Sequence, residues 1–189
     1  MYTKKNIITL FIGIVLISCQ KEKKLNPFEI STNRIGHLTN VIKVNQLDSI
    51  YASDSIVKRK KTDQFITASN EIEIFEKGGA KLLILEPREE LNPESTIETI
   101  QIIDPRYHTD LGLSADGVFM DIKNNYKISK INNTLSSAVI FIDSIQAYLT
   151  IDKKELPSEF KFNTDTKIEA ANIPDSAKIK HFLITWDEK

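Results

Sequence analysis

Arg106, Tyr107 and His108 form the most chemically equipped run of the chain, within Asp104-Pro105-Arg106-Tyr107-His108-Thr109-Asp110. As a binding loop this run would offer a guanidinium fork for an anion, a phenol face for stacking, and an imidazole that titrates near neutral pH. The structural reading is an ordinary connection. Asp104-Pro105 ends a strand, and Thr109 or Asp110 supports the turn before Gly112. That plainer reading is preferred. The other reactive residues form no constellation. His37, His108 and His181 are the only histidines and are too scattered for metal-ligand spacing. Ser114 follows Gly112, but Asp116 stands where a nucleophile elbow needs glycine. Asp110, Asp116 and Asp121 lack the alternation of oxygen ligands that a calcium loop requires. Lys58-Arg59-Lys60-Lys61 is the one basic cluster; it could touch headgroups or polyanions, and it reads more simply as a solvated strand edge. Trp186 is expected to close the core rather than to mark an exposed binding surface. A formal net charge of -1 creates no global field for nucleic acid, which is not expected as a partner. No catalytic residue, metal or cofactor is assigned, and the chain is read as a non-enzyme.

Cys19 is the single cysteine, so a disulfide within the domain, a zinc–thiolate site and cysteine catalysis are all excluded. Its surroundings point to another chemistry. Lys4 and Lys5 precede an apolar run from Ile7 to Ile17. That run suits a signal-peptide core and is too short for a lasting bilayer helix, which needs about 20 residues. Leu16-Ile17-Ser18-Cys19 resembles the cleavage box of bacterial lipoproteins. The resemblance implies that residues 1–18 are removed and that Cys19 becomes an acylated N-terminus, anchored by about 0.8 kcal/mol per buried methylene. Gln20-Lys21-Glu22-Lys23-Lys24 then reads as part of a charged, flexible tether over residues 19–27. Gln20 is not the aspartate that retains enterobacterial lipoproteins in the inner membrane, so outer-membrane attachment facing the periplasm is expected. The Ile/Lys/Asn-rich usage looks like that of a Bacteroidetes genome, in which a lysine-plus-acid stretch directs lipoproteins to the cell surface. Glu22 is the only acid here, so surface exposure is the lesser expectation. Four triplets, beginning at Asp48, Asp54, Asp143 and Asp175, resemble that phylum's O-glycosylation pattern and read more simply as caps and turns.

The elements that position these residues follow from periodicity. Phe28 to Ser31 predicts a short strand, and Gly36 a turn. Thr39 to Tyr51 predicts an amphipathic helix with Val44, Leu47, Ile50 and Tyr51 on one face. Strands are predicted from Ile56, over Gln64–Thr67 and Glu71–Phe75, then, across a Gly78-Gly79 hairpin, over Ala80–Leu85. A polar loop spans Pro87–Pro93, and Ile97–Ile103 is a further strand. A second round follows: a glycine turn over Asp110–Gly117, a helix over Val118–Tyr126, strands over Ala138–Asp143 and Gln146–Ile151, a polar loop over Lys153–Thr166, and a closing strand over Ala177–Trp186. That last strand alternates Ile179, His181, Leu183 and Thr185 against Phe182, Ile184 and Trp186. Val44, Leu47 and Tyr51 align with Phe119, Ile122 and Tyr126 at a constant offset of 75. The two rounds read as one unit used twice, about residues 28–103 and 104–189, because neither alone can enclose a core. The expected fold is α+β: two similar units, each a short helix with antiparallel strands, sharing a twisted antiparallel sheet.

Several segments together resemble a family of enterobacterial envelope lipoproteins of unknown function, one member of which is tied to the envelope-stress sigma factor. They are Gly36-His37-Leu38-Thr39, the strand Ile97 to Asp104, Thr109-Asp110-Leu111-Gly112, Gly117 to Ile122 with Tyr126, Ile173-Pro174-Asp175, and Ile184-Thr185-Trp186. The enterobacterial sequences carry a cysteine pair in the mature domain that this chain lacks. The resemblance implies the fold and lipoprotein status, and no reaction. The expectation is therefore a membrane-tethered, non-catalytic binding or accessory module that meets an envelope protein or ligand through loops such as Asp104–Gly117 and Pro87–Pro93. The alternative is a carrier of a small apolar or amphipathic ligand in the periplasm.

Overall fold

The computed structural model describes residues 25–58 and 71–187. Leu16, Ile17, Ser18 and Cys19 lie outside the described residues, as do Arg59–Lys61 and the strand expected over Gln64–Thr67.

The fold is α+β and largely β. Three short strands open it: β1 (Glu29–Ser31), β2 (Arg34–Ile35) and β3 (Leu38–Thr39). A 3-10 turn over Val44–Gln46 leads into α1 (Leu47–Ile50), and four strands follow: β4 (Ser55–Lys58), β5 (Ile72–Phe75), β6 (Lys81–Pro87) and β7 (Ile97–Ile102). The two-residue β8 (His108–Thr109) lies in the connection to α2 (Phe119–Asn125). Then come β9 (Lys130–Asn133), β10 (Ser137–Ile142) and β11 (Ala147–Asp152), a short α3 (Ser158–Lys161), and β12 (Ile179–Thr185).

Among the described residues, eight strands form one sheet in the order β4-β5-β6-β7-β12-β11-β10-β9, antiparallel throughout. The order reads alike from either edge, with β7 and β12 at the centre. Local bonds recur with it. Gln46 Oε1 accepts from the Lys43 backbone N–H at 2.9 Å, and 75 residues on Asp121 Oδ2 accepts from Val118 N–H at 2.8 Å. Each closes the start of a helix, where backbone donors lack intrahelical partners. Val44 and Asn45 N–H donate to the Ser95 and Pro93 carbonyls; Phe119 and Met120 N–H donate in the same way to Ala177 and Asp175. Each helix is thus tied to the segment that leads into the last strand of its round.

One face of the large sheet carries the core. Ile72 and Ile74, Leu83 and Leu85, Ile100 and Ile102, Phe182 and Ile184, Leu149 and Ile151, and Ile140 and Ile142 are buried at every second position. The helices add Leu47, Tyr51, Phe119 and Ile122 to the same cluster. Burying each such side chain contributes about 1.5–3 kcal/mol, enough to hold a one-turn helix and one of about two turns that would not persist alone. Trp186 joins this core at 2 % exposure, as its type predicts.

Several elements differ from expectation. The first helix is one α turn, not a helix from Thr39: Ile42 N–H closes a turn onto Thr39, and Lys43 forms an isolated bridge to Thr96. β9 is an additional strand, and the polar loop after β11 contains α3 with buried Leu156 and Phe160. A register shift between Thr150 and Ile151 breaks the alternation of β12 and turns Ile179 inward, so it is buried rather than sharing the face of His181 and Leu183. Finally, β1, β2, β3 and β8 form a second small sheet, in which β1 and β8 run parallel. Gly36 makes its hairpin possible: φ is +56°, and a Cβ there would lie 2.2 Å from the Pro27 carbonyl oxygen.

Candidate functional site

The loop that carries Arg106, Tyr107 and His108 is built into the molecule. Arg106 donates from Nε and Nη2 to Asp104 at 3.0 and 2.8 Å, and from both terminal nitrogens to Glu76 at 3.1 Å each. Its guanidinium also lies 4.5 Å from the centre of the Phe28 ring. The Asp104 carboxyl is held below the usual range, chiefly by the bonds from Arg106. Tyr107 is buried and meets Phe28 edge-on at 5.1 Å. Burial, then the nearby Asp54 carboxylate, pushes its hydroxyl up to about 12. His108 belongs to β8 and donates from Nδ1 to the Arg106 carbonyl at 2.8 Å. An anion would have to displace two carboxylates from Arg106, and a planar ligand would find the Tyr107 ring already covered. The three residues come together as a clasp joining β1, the β5–β6 hairpin and the end of β7.

The other expected residues are likewise placed singly. His37 is exposed, and His181 sits in β12. Among the described residues, no group of three His, Cys, Asp or Glu side chains could hold a metal ion. Ser114 bonds Asp116 at 2.6 Å. Asp121 is occupied at the start of α2. In the Pro87–Pro93 loop, Arg88 donates to Glu98 at 3.0 Å and to the Trp186 carbonyl, so this guanidinium too serves the fold.

The feature not anticipated from the sequence is the second face of the large sheet. A single row of paired residues crosses all eight strands: Val57, Glu73, Ile84, Gln101, Leu183, Tyr148, Phe141 and Lys130. Its middle members, from Ile84 to Phe141, are all half-buried. Neighbouring rows add Val139, Thr150 and His181 on one side and Glu86, Thr99 and Thr185 on the other. Gln101 Nε2 donates to His181 Nδ1 at 3.0 Å across the two central strands. Burial, and then Lys180, pulls the His181 imidazole below its ordinary range. The Thr150 hydroxyl beside it is covered and has no hydrogen-bond partner. Glu86 is raised by burial and by Glu71 and Glu98; Tyr148 is raised by burial and by Glu86. A few polar groups are thus set among Ile84, Leu183, Tyr148 and Phe141 on this face. The alternation of each strand announced two faces; which of them stays open depends on where the helices pack.

No family model and no curated protein sequence matches the chain. Among solved structures it is similar to the crystal structure of the uncharacterized protein YfeY from Escherichia coli. The TM-score is 0.52 at 12% sequence identity, over 85% of this chain and 100% of that one. At that identity the likeness is one of fold: this chain shares its architecture with an enterobacterial protein whose function is itself open.

Proposed function

We propose that the chain is a lipid-anchored cell-envelope protein, held through Cys19 at the outer membrane and facing the periplasm, that works as a non-catalytic binding or accessory module. The open face of the eight-stranded sheet is its contact surface. One observation carries the choice of surface: the row from Ile84 through Leu183 and Tyr148 to Phe141 keeps apolar and aromatic side chains half-exposed at the middle of the sheet, while the opposite face is filled. Leu183, Tyr148 and Phe141 are successive partners in this row, and open apolar surface of this kind marks interaction sites. The order of Lys4, Lys5, the apolar run and Leu16-Ile17-Ser18-Cys19 supports the anchoring. The segments from Gly36 to Trp186 quoted above, together with the shared architecture, support placing the chain beside the enterobacterial lipoproteins as a Bacteroidetes-like member.

Two measurements test this reading. The N-terminal peptide of protein purified from membranes is weighed; acyl chains on Cys19, and release of Cys19→Ser from the membrane fraction, are expected. A photo-crosslinking residue is then placed at Leu183 and, as a control, at exposed Leu135. Adducts specific to position 183 are expected. An unacylated peptide overturns the anchoring, and equal labelling at the two positions overturns the assigned surface.

A further inference from the structure

The open face runs into a depression of about 380 Å3 between the β10–β11 turn and the exit of β12. Phe141, Tyr148, Asp143, Gln146, Thr185 and Asp187 line it. Phe141 and Tyr148 are direct cross-strand partners with ring centroids 6.0 Å apart and planes 29° from parallel. Asp143 is oriented by Ser129, whose hydroxyl donates to Oδ1 at 2.7 Å. Among the described residues neither Asp143 nor Asp187 forms an ion pair, although ten of the chain's other carboxylates do. Lys130 Nζ lies 6.0 Å from the Phe141 centroid, a cation–aromatic contact that this ring already makes.

We propose that this depression binds an organic ammonium ion, its charge carried among methyl or methylene groups. The proposal rests on the binding reading above and names the ligand class at one end of that surface. An anion would face Asp143 and Asp187. A small inorganic cation would keep its water and gain little from the two rings. A neutral apolar ligand would gain the rings but leave the carboxylates unused. An alkylated ammonium satisfies both sets of groups at once, because an aromatic face attracts a weakly hydrated cation and a carboxylate supplies the opposite charge.

The test uses the full chain in detergent, with choline as probe and 3,3-dimethylbutan-1-ol as its uncharged isostere, followed by backbone amide shifts at Gln146 and Thr185. Choline is expected to saturate these shifts in the millimolar range, with the isostere about tenfold weaker or more, the factor that a cation–aromatic contact supplies. The double variant Asp143→Asn with Asp187→Asn, and separately Phe141→Leu, should each weaken choline about fivefold or more at unchanged melting temperature. No saturation by choline, equal binding of the isostere, or unchanged binding in the double variant overturns the site. If the Leu183-specific adducts persist while choline fails, the ammonium site alone is overturned; if those adducts are also absent, the surface assignment fails with it.

Discussion

The hydroxyls of Tyr126 and Thr109 lie 2.6 Å apart, whereas Tyr51, 75 residues earlier and at the same place after its own helix, has a buried hydroxyl with no partner. Two tyrosines of like setting therefore contribute with opposite sign. A made hydrogen bond adds about 1 kcal/mol, and a covered polar atom left unpaired subtracts at least as much. Tyr126→Phe should lower the unfolding free energy by about 1 kcal/mol. Tyr51→Phe should leave it unchanged or raise it by about 1 kcal/mol. Urea unfolding of both variants checks this, and comparable losses in the two would contradict the asymmetry.

Asp104 collects three bonds from Arg106, from its backbone N–H at 2.9 Å and from Nε and Nη2. Its carboxyl is depressed in the fold, so the unfolded chain binds its proton more readily. That stability is fully present above the unfolded carboxylate range, near pH 4, and is lost as pH falls through the lower folded value. Asp104→Ala is expected to cost about 1.5–3 kcal/mol at pH 7. The difference from wild type should shrink as the pH drops below 3, and melting curves at pH 7 and pH 2.5 measure it.

His181 shows linkage of the same sign from a different cause, since its charged form is disfavoured in the fold rather than held by a partner. Burial lowers its folded pKa, so below the unfolded value, near 6.5, the unfolded chain takes up a proton that the folded chain resists. Stability should therefore fall from pH 7.5 toward pH 5. His181→Gln, which carries no titrating group, should flatten this part of the profile. An identical slope in the variant would assign the effect to another residue.

Leu91 stands at φ +61° in the β6–β7 loop with 77 % of its surface exposed. A left-handed backbone costs a branched side chain about 1 kcal/mol, and almost no packing is lost on replacing it. Leu91→Asn is expected to stabilise the protein by about 0.5–1 kcal/mol. Differential scanning calorimetry reads the change, and a lowered melting temperature would argue that Leu91 makes contacts that offset its backbone.

Much of the large sheet was legible from residue order, because strands that bury one face repeat at every second position. The Ile72/Ile74, Leu83/Leu85 and Ile140/Ile142 pairs announce themselves, and Gly78-Gly79 locates the β5–β6 turn. The helical spacing at Leu47 and Phe119 was legible for the same reason, though the length of α1 was not, since its start is set by a bridge from Lys43 to Thr96. Of the small sheet, only β1 and the Gly36 turn were legible: its other strands are two residues long, and β1 meets β8 across almost eighty residues.

Residue order alone determined the Leu16-Ile17-Ser18-Cys19 pattern on which the proposed acylation rests, the presence of a single cysteine, and the alternation of the sheet strands, because each is read directly from the chain. Tertiary structure alone decided the fate of the binding candidates. Arg106 is engaged by Glu76, thirty residues away, and Tyr107 is covered by Phe28 from the chain's beginning. It also decided which face of the sheet stays open and brought Phe141 and Tyr148 beside Asp143 and Asp187. Whether a guanidinium or a ring is free for a ligand depends on which distant side chain reaches it first, and no local pattern carries that information.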